Sequence, residues 1–504
     1  MNFLRGAMIL TLAGTAVKII GSINRILLSR LLGGEGIGLY QMAYPVYLLF
    51  TAIASAGIPI AVSILVGEKI AMGAKGELCS LRKILLKVLL VAGVCLALLV
   101  AGSAGWLVET EFISDERAYY GILAVTPAIF LSLLLGGMRG YFQGFQMMTP
   151  TAISQITEQF FRVTFMLAAA YLLLPYGLEY AAAGAAGGAG VGAVFGIIVL
   201  LLFYKKVDDE NYGKNILIKQ SDPIKRFLTL AVPISLSNLT IPLTAVLDMF
   251  LVPHCLLKAG YSGVETTTMF GYLAGMAQPL VLLAIIPVTA IVFSMVPTLA
   301  NLRGKSDVAG ALHTVNSALK WVLMITVPAG IGMSALGGQL SELLYAAPMA
   351  TDAMVHTGPA IFLLGLLQIS SAVLQGAGKV NIPLYNLTAG MVVKIVFVMF
   401  YANNIVECAW GTNLHYAVTV ILNLVVLFFY GYRFQLWLWL RIICSALIMG
   451  IGLLFIHGFL AEILGYNVAT VASLLMATVL YGLLLWLMRS VRWDEIKQLR
   501  LKEK

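Results

Sequence analysis

Seven ionisable side chains stand inside long apolar runs, and with them this chain could do chemistry: Lys18 and Arg25, Glu158 and Arg162, Asp248, Lys320 and Lys394. Exposing a charge to hydrocarbon costs about 2.5–3.5 kcal/mol or more, so such residues face a protein interior or a wet cavity. Five are basic and two acidic, a surplus of positive charge. Lys18 and Arg25 are seven residues apart, which puts them on one helix face about 10 Å apart along the axis. Arg30 follows near the end of the same run. Buried cations compensate an anion, and the guanidinium fork suits phosphate in particular. The chemistry so expected is anion recognition, with Lys18, Arg25, Arg30, Arg162 and Lys394 lining a cavity.

Each charge also has a structural reading. Lys320 lies near a helix start and can snorkel to the surface. Glu158 and Arg162 are i,i+4 and can neutralise each other. Arg30 can anchor the helix at the interface. Asp248 is either a charge partner for Lys18 or Arg25 or a site for a coupling proton or cation. For Arg25 and the pair Arg162 and Lys394, binding is the expectation. Bond-making chemistry has no comparable support. Cys79, Cys95, Cys255, Cys408 and Cys444 are dispersed and form no C-x-x-C. The five histidines form no H-E-x-x-H. No cofactor, metal or catalytic constellation is expected.

The elements that must position these charges are membrane helices. Of 504 residues, 60% are hydrophobic and 11% charged, against about 25% charged in a soluble protein. This composition excludes a water-soluble enzyme. Fourteen hydrophobic segments run near 5–29, 38–66, 84–107, 119–138, 150–173, 181–203, 227–253, 268–299, 314–336, 355–374, 383–402, 412–431, 442–460 and 467–488. The first is not read as a cleaved signal, because it continues past Lys18 and Arg25 without a small-residue cleavage site. Basic residues alternate between loops. The two tails and the even loops hold 24 of them, Arg139, Arg303, Lys379 and Arg433 included, whereas the odd loops hold Arg30, Arg117 and Lys258. Positive loops stay on the cytoplasmic side, so both termini are expected there. The net charge of +9 therefore reports topology, and no nucleic-acid partner is expected.

The two halves repeat. Phe142-Gln143-Gly144, Pro150 and Arg162 recur as Leu374-Gln375-Gly376, Pro383 and Lys394, with Gln and the basic residue both offset by 232. Gly57-Ile58-Pro59 likewise faces Met295-Val296-Pro297. Parallel repeats related by an axis along the membrane normal are a transporter architecture. The expected fold is thus an all-α polytopic membrane protein with fourteen transmembrane helices, two pseudo-symmetric six-helix lobes and two C-terminal helices around a central cavity. Its divisions are 1–204 (N-lobe), 205–226 (cytoplasmic linker), 227–434 (C-lobe), 435–490 (helices 13 and 14) and 491–504 (tail). Six of sixteen prolines fall between Pro233 and Pro297, where each interior one frees a carbonyl and bends its helix. Ala181–Ala189 reads as close packing at the start of the sixth helix.

Three blocks resemble a known family. They are Lys18-Ile19-Ile20-Gly21-Ser22-Ile23-Asn24-Arg25 continuing to Gly33, Gly36-Ile37-Gly38-Leu39-Tyr40-Gln41, and Ala56-Gly57-Ile58-Pro59-Ile60-Ala61-Val62-Ser63. They look like the opening of the stage V sporulation protein B-like polysaccharide exporters, within the multidrug/oligosaccharidyl-lipid/polysaccharide exporter superfamily. Ala231-Val232-Pro233-Ile234 and Gly275-Met276-Ala277-Gln278-Pro279 look like that family's helices 7 and 8. The resemblance implies a flippase for undecaprenyl-pyrophosphate-linked sugars, with the peptidoglycan precursor lipid II foremost, in a bacterial inner membrane. It places the family's cavity cations on Lys18 and Arg25, the first more often Arg in such relatives. It also implies a lipid-tail groove beside helices 13 and 14, and lipid-linked oligosaccharide, membrane lipids and wall-synthesis enzymes as partners. A cation-coupled multidrug exporter of the same superfamily is the alternative, and a non-transporting scaffold for wall synthesis the third reading.

Overall fold

With no water in hydrocarbon, each backbone amide must be satisfied within its own segment, which makes apolar runs of this length helical. The computed structural model describes residues 2–73, 75–211 and 223–490, and among them every regular element is a helix. In order these are α1 (Asn2–Ala52), α2 (Ile58–Ala71), α3 (Lys75–Glu109), α4 (Ala118–Gly144), α5 (Met148–Leu173), α6 (Leu178–Asn211), α7 (Pro223–Asn238), α8 (Thr240–Lys258), α9 (Gly263–Phe270), α10 (Gln278–Ala284), α11 (Ile286–Gly304), α12 (Val308–Ala335), α13 (Gly337–Tyr345), α14 (Thr351–Thr357), α15 (Pro359–Gly376), α16 (Ile382–Tyr401), α17 (Ile405–Phe429), α18 (Leu436–Leu464) and α19 (Tyr466–Leu487). The expected tail, 491–504, and residues 212–222 of the expected linker lie outside the described residues.

Among the described residues, thirteen helical stretches are long and apolar enough to cross a membrane. They depart from the fourteen expected segments in three places. The first two expected segments merge, because only Gly33 (φ 68°) leaves helical geometry between Asn2 and Ala52. A φ of that sign is open to glycine at little cost. The expected segment 227–253 is interrupted at Leu239, between α7 and α8. The expected segment 268–299 becomes two stretches, with Pro279 and Pro287 each in the first turn of a new helix. Proline fits there because its missing N–H would be unpaired anyway. Five- and seven-residue π turns at Ile53–Gly57 and Gly271–Ala277 add two further irregularities.

The chain divides into two compact units, Met1–Gly271 and Tyr272–Lys504. In the first, α4, α5 and α6 pack together, with α1 against α4, α5, α8 and α9. Small residues permit the closest crossings. Ala181, Ala182, Ala185, Ala186 and Ala189 on α6 are buried. A Cβ on Gly192 would lie 2.6 Å from the Glu158 carbonyl oxygen of α5, so only glycine lets α6 approach there. A polar knot closes this unit between α3 and α4: Arg117 donates to Asp115 (2.8 Å) and Glu35 (2.6 Å), and the Thr267 hydroxyl donates to Asp115 (2.7 Å). Ser262 and Glu265 cap α9 reciprocally.

In the second unit, α15 packs on α11, α12 and α17, α16 pairs with α17, and α18 pairs with α19 and α12. The repeat is visible in the backbone. Helix α4 ends at Gly144 and α15 at Gly376. Two residues beyond each end, Gln146 (φ 59°) and Gly378 (φ 79°) take the left-handed conformation, again offset by 232.

Candidate functional site

The α5–α6 crossing determines where the first charged pair goes. With Gly192 against the backbone of Glu158, and Gly196 beside its Cβ, the carboxylate turns from α6 toward α4. There it meets two guanidinium groups. Arg139 Nη2 donates to Glu158 Oε2 at 2.7 Å and to Ser154 Oγ at 3.0 Å. Arg162 pairs with the other carboxylate oxygen, Oε1, and donates to the Tyr47 hydroxyl at 2.8 Å. The three side chains are only 13–17% exposed. One carboxylate shared by two arginines leaves a net positive charge, and the Arg162 Nε–H is buried without a hydrogen-bond partner. Such a donor is costly to bury unless something accepts from it.

Tyrosines connect this cluster to α1. Tyr40, Tyr44 and Tyr47 share one face at i, i+4 and i+7, with Tyr40 and Tyr44 stacked at 5.3 Å and Tyr44 and Tyr47 5.8 Å apart. Arg25 lies 4.6 Å over the Tyr44 ring and donates to Gln41 Oε1 at 3.1 Å. The Arg162 guanidinium lies 5.5 Å over the Tyr47 ring. A cavity of about 240 Å³ opens among Tyr44, Tyr47, Arg139, Gln155, Glu158 and Arg162. Polar, partly enclosed and cationic, it can hold an anionic group by charge-assisted hydrogen bonds.

The structure thus gathers Arg25, Glu158 and Arg162 of the expected residues around one tyrosine ladder. Lys18 and Arg30 are exposed on α1, and Asp248 is half-buried on α8. Lys394 lies in the other unit. It is 1% exposed, and its Nζ donates to Thr412 Oγ1 of α17 at 2.9 Å. His415, one turn further along α17, is buried with neither ring nitrogen hydrogen-bonded. Lys320, read either as an interior charge or as a snorkelling residue, is buried at 8% exposure; α12 begins at Val308, so it lies twelve residues into the helix rather than near its start. The sequence reading missed Arg139, which it counted with the loop cations. Helix α4 continues to Gly144 and carries it inside. It also missed Gln41, Tyr44 and Tyr47, although their i, i+3 and i+6 spacing was a signal. A separate apolar cavity of about 450 Å³ lies in the second unit, bordered by Met324 and Pro328 of α12, Met449 and Leu453 of α18, and Ala477 and Tyr481 of α19.

Known proteins share both sequence and fold. The chain is 28% identical over 406 residues to stage V sporulation protein B of Bacillus subtilis (strain 168), covering 79% of this chain and 78% of that one. It is 28% identical over 419 residues to the lipid II flippase MurJ of the same organism, covering 78% and 76%. The fold is that of a solved lipid II flippase MurJ in an inward closed conformation, with a TM-score of 0.71 at 15% identity over 95% of this chain and 98% of that one. An inward-facing multidrug resistance MATE family transporter of the MOP superfamily aligns at a TM-score of 0.65 and 16% identity, over 81% and 93%. Residues 3–303 match the family described as polysaccharide biosynthesis protein. With well over half its length inside that match, and an arginine–tyrosine site built into its helices, this multi-pass membrane chain belongs to the polysaccharide biosynthesis protein family.

Proposed function

We propose that this protein is a flippase for lipid-linked oligosaccharides, with lipid II as the leading substrate, working by alternating access in a bacterial inner membrane. The observation that carries the reading is the cluster of Arg139, Glu158 and Arg162 beside Arg25, where cations outnumber carboxylates in membrane helices. A pyrophosphate headgroup supplies the compensating charge, and the buried Arg162 Nε–H gains an acceptor. Lys18, Arg30 and Lys394 are proposed as further contacts along the headgroup's path, and Asp248 as a charge partner or coupling site. The apolar cavity bordered by α12, α18 and α19 suits the polyprenyl tail.

In this reading the lobes 1–204 and 227–434 rock about a central cavity, with 205–226 and both termini on the cytoplasmic side. The headgroup crosses without any bond being made or broken. Wall-synthesis enzymes are proposed neighbours that supply or consume the substrate. The cation-coupled multidrug exporter is favoured by the MATE fold likeness. An organic cation, however, calls for an acidic cavity, and the sign of this cluster opposes it. Purified protein in vesicles, given fluorescent lipid II and, separately, a cationic dye, distinguishes the two. Accelerated flipping of lipid II, abolished in Arg162→Gln, supports the flippase. Export of the dye with lipid II flipping at the protein-free rate overturns it.

A further inference from the structure

A second cationic cavity, of about 510 Å³, lies within the second unit. Three turns build it: the end of α11 with the start of α12, the α15–α16 turn and the α17–α18 turn. Arg303, in the last turn of α11, donates through Nη1 to the Ala377 carbonyl at 2.7 Å. It can do so because residue 378 is glycine. A Cβ there would stand 2.0 Å from Nη1, and its φ of +79° also favours glycine. Lys379 places its Nζ 4.8 Å from the centre of the Tyr430 ring. Tyr432 adds a hydroxyl, which like any tyrosine's is protonated and able to donate at neutral pH. The cavity's carboxylate, Asp307, is engaged in capping α12 through the Gly310 N–H at 2.8 Å.

Around this cationic floor the surface is apolar. Val308 is 70% exposed and Val380 62%, and Phe429 beside Tyr430 is 81% exposed. Cations below and exposed hydrocarbon around them describe an amphiphile with an anionic head. Free phosphate would gain nothing from the rim. The first unit has a related cluster at the end of α4, where Arg82 is taken up by the rings of Tyr141 (5.8 Å) and Tyr204 (5.1 Å).

We propose that the cavity formed by Arg303, Lys379, Tyr430 and Tyr432 binds the phosphate of an anionic phospholipid, whose acyl chains lie over Val308 and Val380. The site is distinct from the Arg162 cluster and stands whether or not the chain flips lipid II. A basic residue near an anionic surface contributes about 1 kcal/mol, so each removed cation should weaken binding about fivefold.

The test is native mass spectrometry of the full chain in detergent with phosphatidylglycerol or phosphatidylcholine added. Lys379→Gln is the primary variant, because Arg303 also braces the Ala377 carbonyl and its loss can disturb the turn. The charge-matched control is Lys83→Gln, an exposed position on α3. Weaker retention of phosphatidylglycerol by Lys379→Gln, with phosphatidylcholine retention and the control unchanged, is the expected result. Equal losses in variant and control, or none in the variant, overturn the site. Displacement of phosphatidylglycerol by equimolar inorganic phosphate overturns the lipid as its occupant.

Discussion

Arg162 and Lys394 occupy the same position of the repeat and are held in opposite ways. Arg162 sits in a network, with its guanidinium between Glu158 and the Tyr47 hydroxyl and that carboxylate shared with Arg139. Lys394 is more deeply buried, and its ammonium donates to the hydroxyl of Thr412. Both helix pairs cross closely at glycines, but in the second unit α16 contributes one as well as α17, whose Gly411 faces Val398 and Lys394. In the first unit the crossing glycine is Gly192 on α6, leaving α5 free to carry Glu158. In the second, α16 carries Gly390 at the position that corresponds to Glu158. A Cβ there would lie 2.4 Å from Thr419 Oγ1 and 2.6 Å from the His415 carbonyl oxygen. Residue 390 is a glycine, so the i−4 position that holds Glu158 beside Arg162 carries no carboxylate beside Lys394. The equivalent position thus carries a carboxylate shared by two arginines in one half and a glycine contact in the other.

The sharpest way to break this comparison is through transport. Arg162→Gln should reduce lipid II flipping in vesicles to the protein-free rate, whereas Arg162→Lys, which keeps the charge and loses the fork, should retain a minor part. Lys394→Gln should reduce it less than Arg162→Gln does. Equal effects would mean that the halves are functionally equivalent despite their different surroundings. Next in size is the shared carboxylate. Glu158→Gln leaves two buried guanidinium groups facing each other and should cost about 3–5 kcal/mol. The double variant Arg139→Gln/Glu158→Gln should recover part of that loss, read as melting temperature in detergent.

Smaller effects test the crossings. Gly192→Ala and Gly390→Ala should each destabilise by about 1–3 kcal/mol through overpacking. Gly192→Ala should also impair flipping, because it pushes on the backbone that aims Glu158. An effect of similar size lies outside the membrane helices, at Asp115. Burial alone would raise its pKa, but hydrogen bonds from Arg117 and Thr267 outweigh that and hold it below the usual carboxylate range. A depressed folded value means its stabilisation is complete above the unfolded value of about 4. It is lost as pH falls through the folded value. Asp115→Asn should therefore cost about 1–3 kcal/mol at neutral pH. The gap to the native chain should stay constant down to about pH 5 and close only in stronger acid.

Lys394 was legible because hydropathy marks any charge stranded in an apolar run, and the repeated Gln-Gly with its fixed offset tied it to Arg162. Arg139 was not legible, because a cation near the end of a hydrophobic segment looks like a loop charge until the length of α4 is known. The tyrosine ladder had the right spacing, yet spacing names a face without naming what lies opposite. For Lys320 the sequence left an interior and a snorkelling reading open, because the hydrophobic segment starts later than α12 itself does.

By itself the sequence determined that the chain is helical, membrane-embedded and internally repeated, and that its buried charge is mostly positive. Those properties follow from composition and period, which act on each segment alone. Only the tertiary structure decided that Glu158 serves two arginines, that Arg25 reaches them along Tyr44 and Tyr47, and that Lys394 meets Thr412 of α17. Those depend on which backbones can touch, and the absence of a Cβ at residues 192 and 390 lets them.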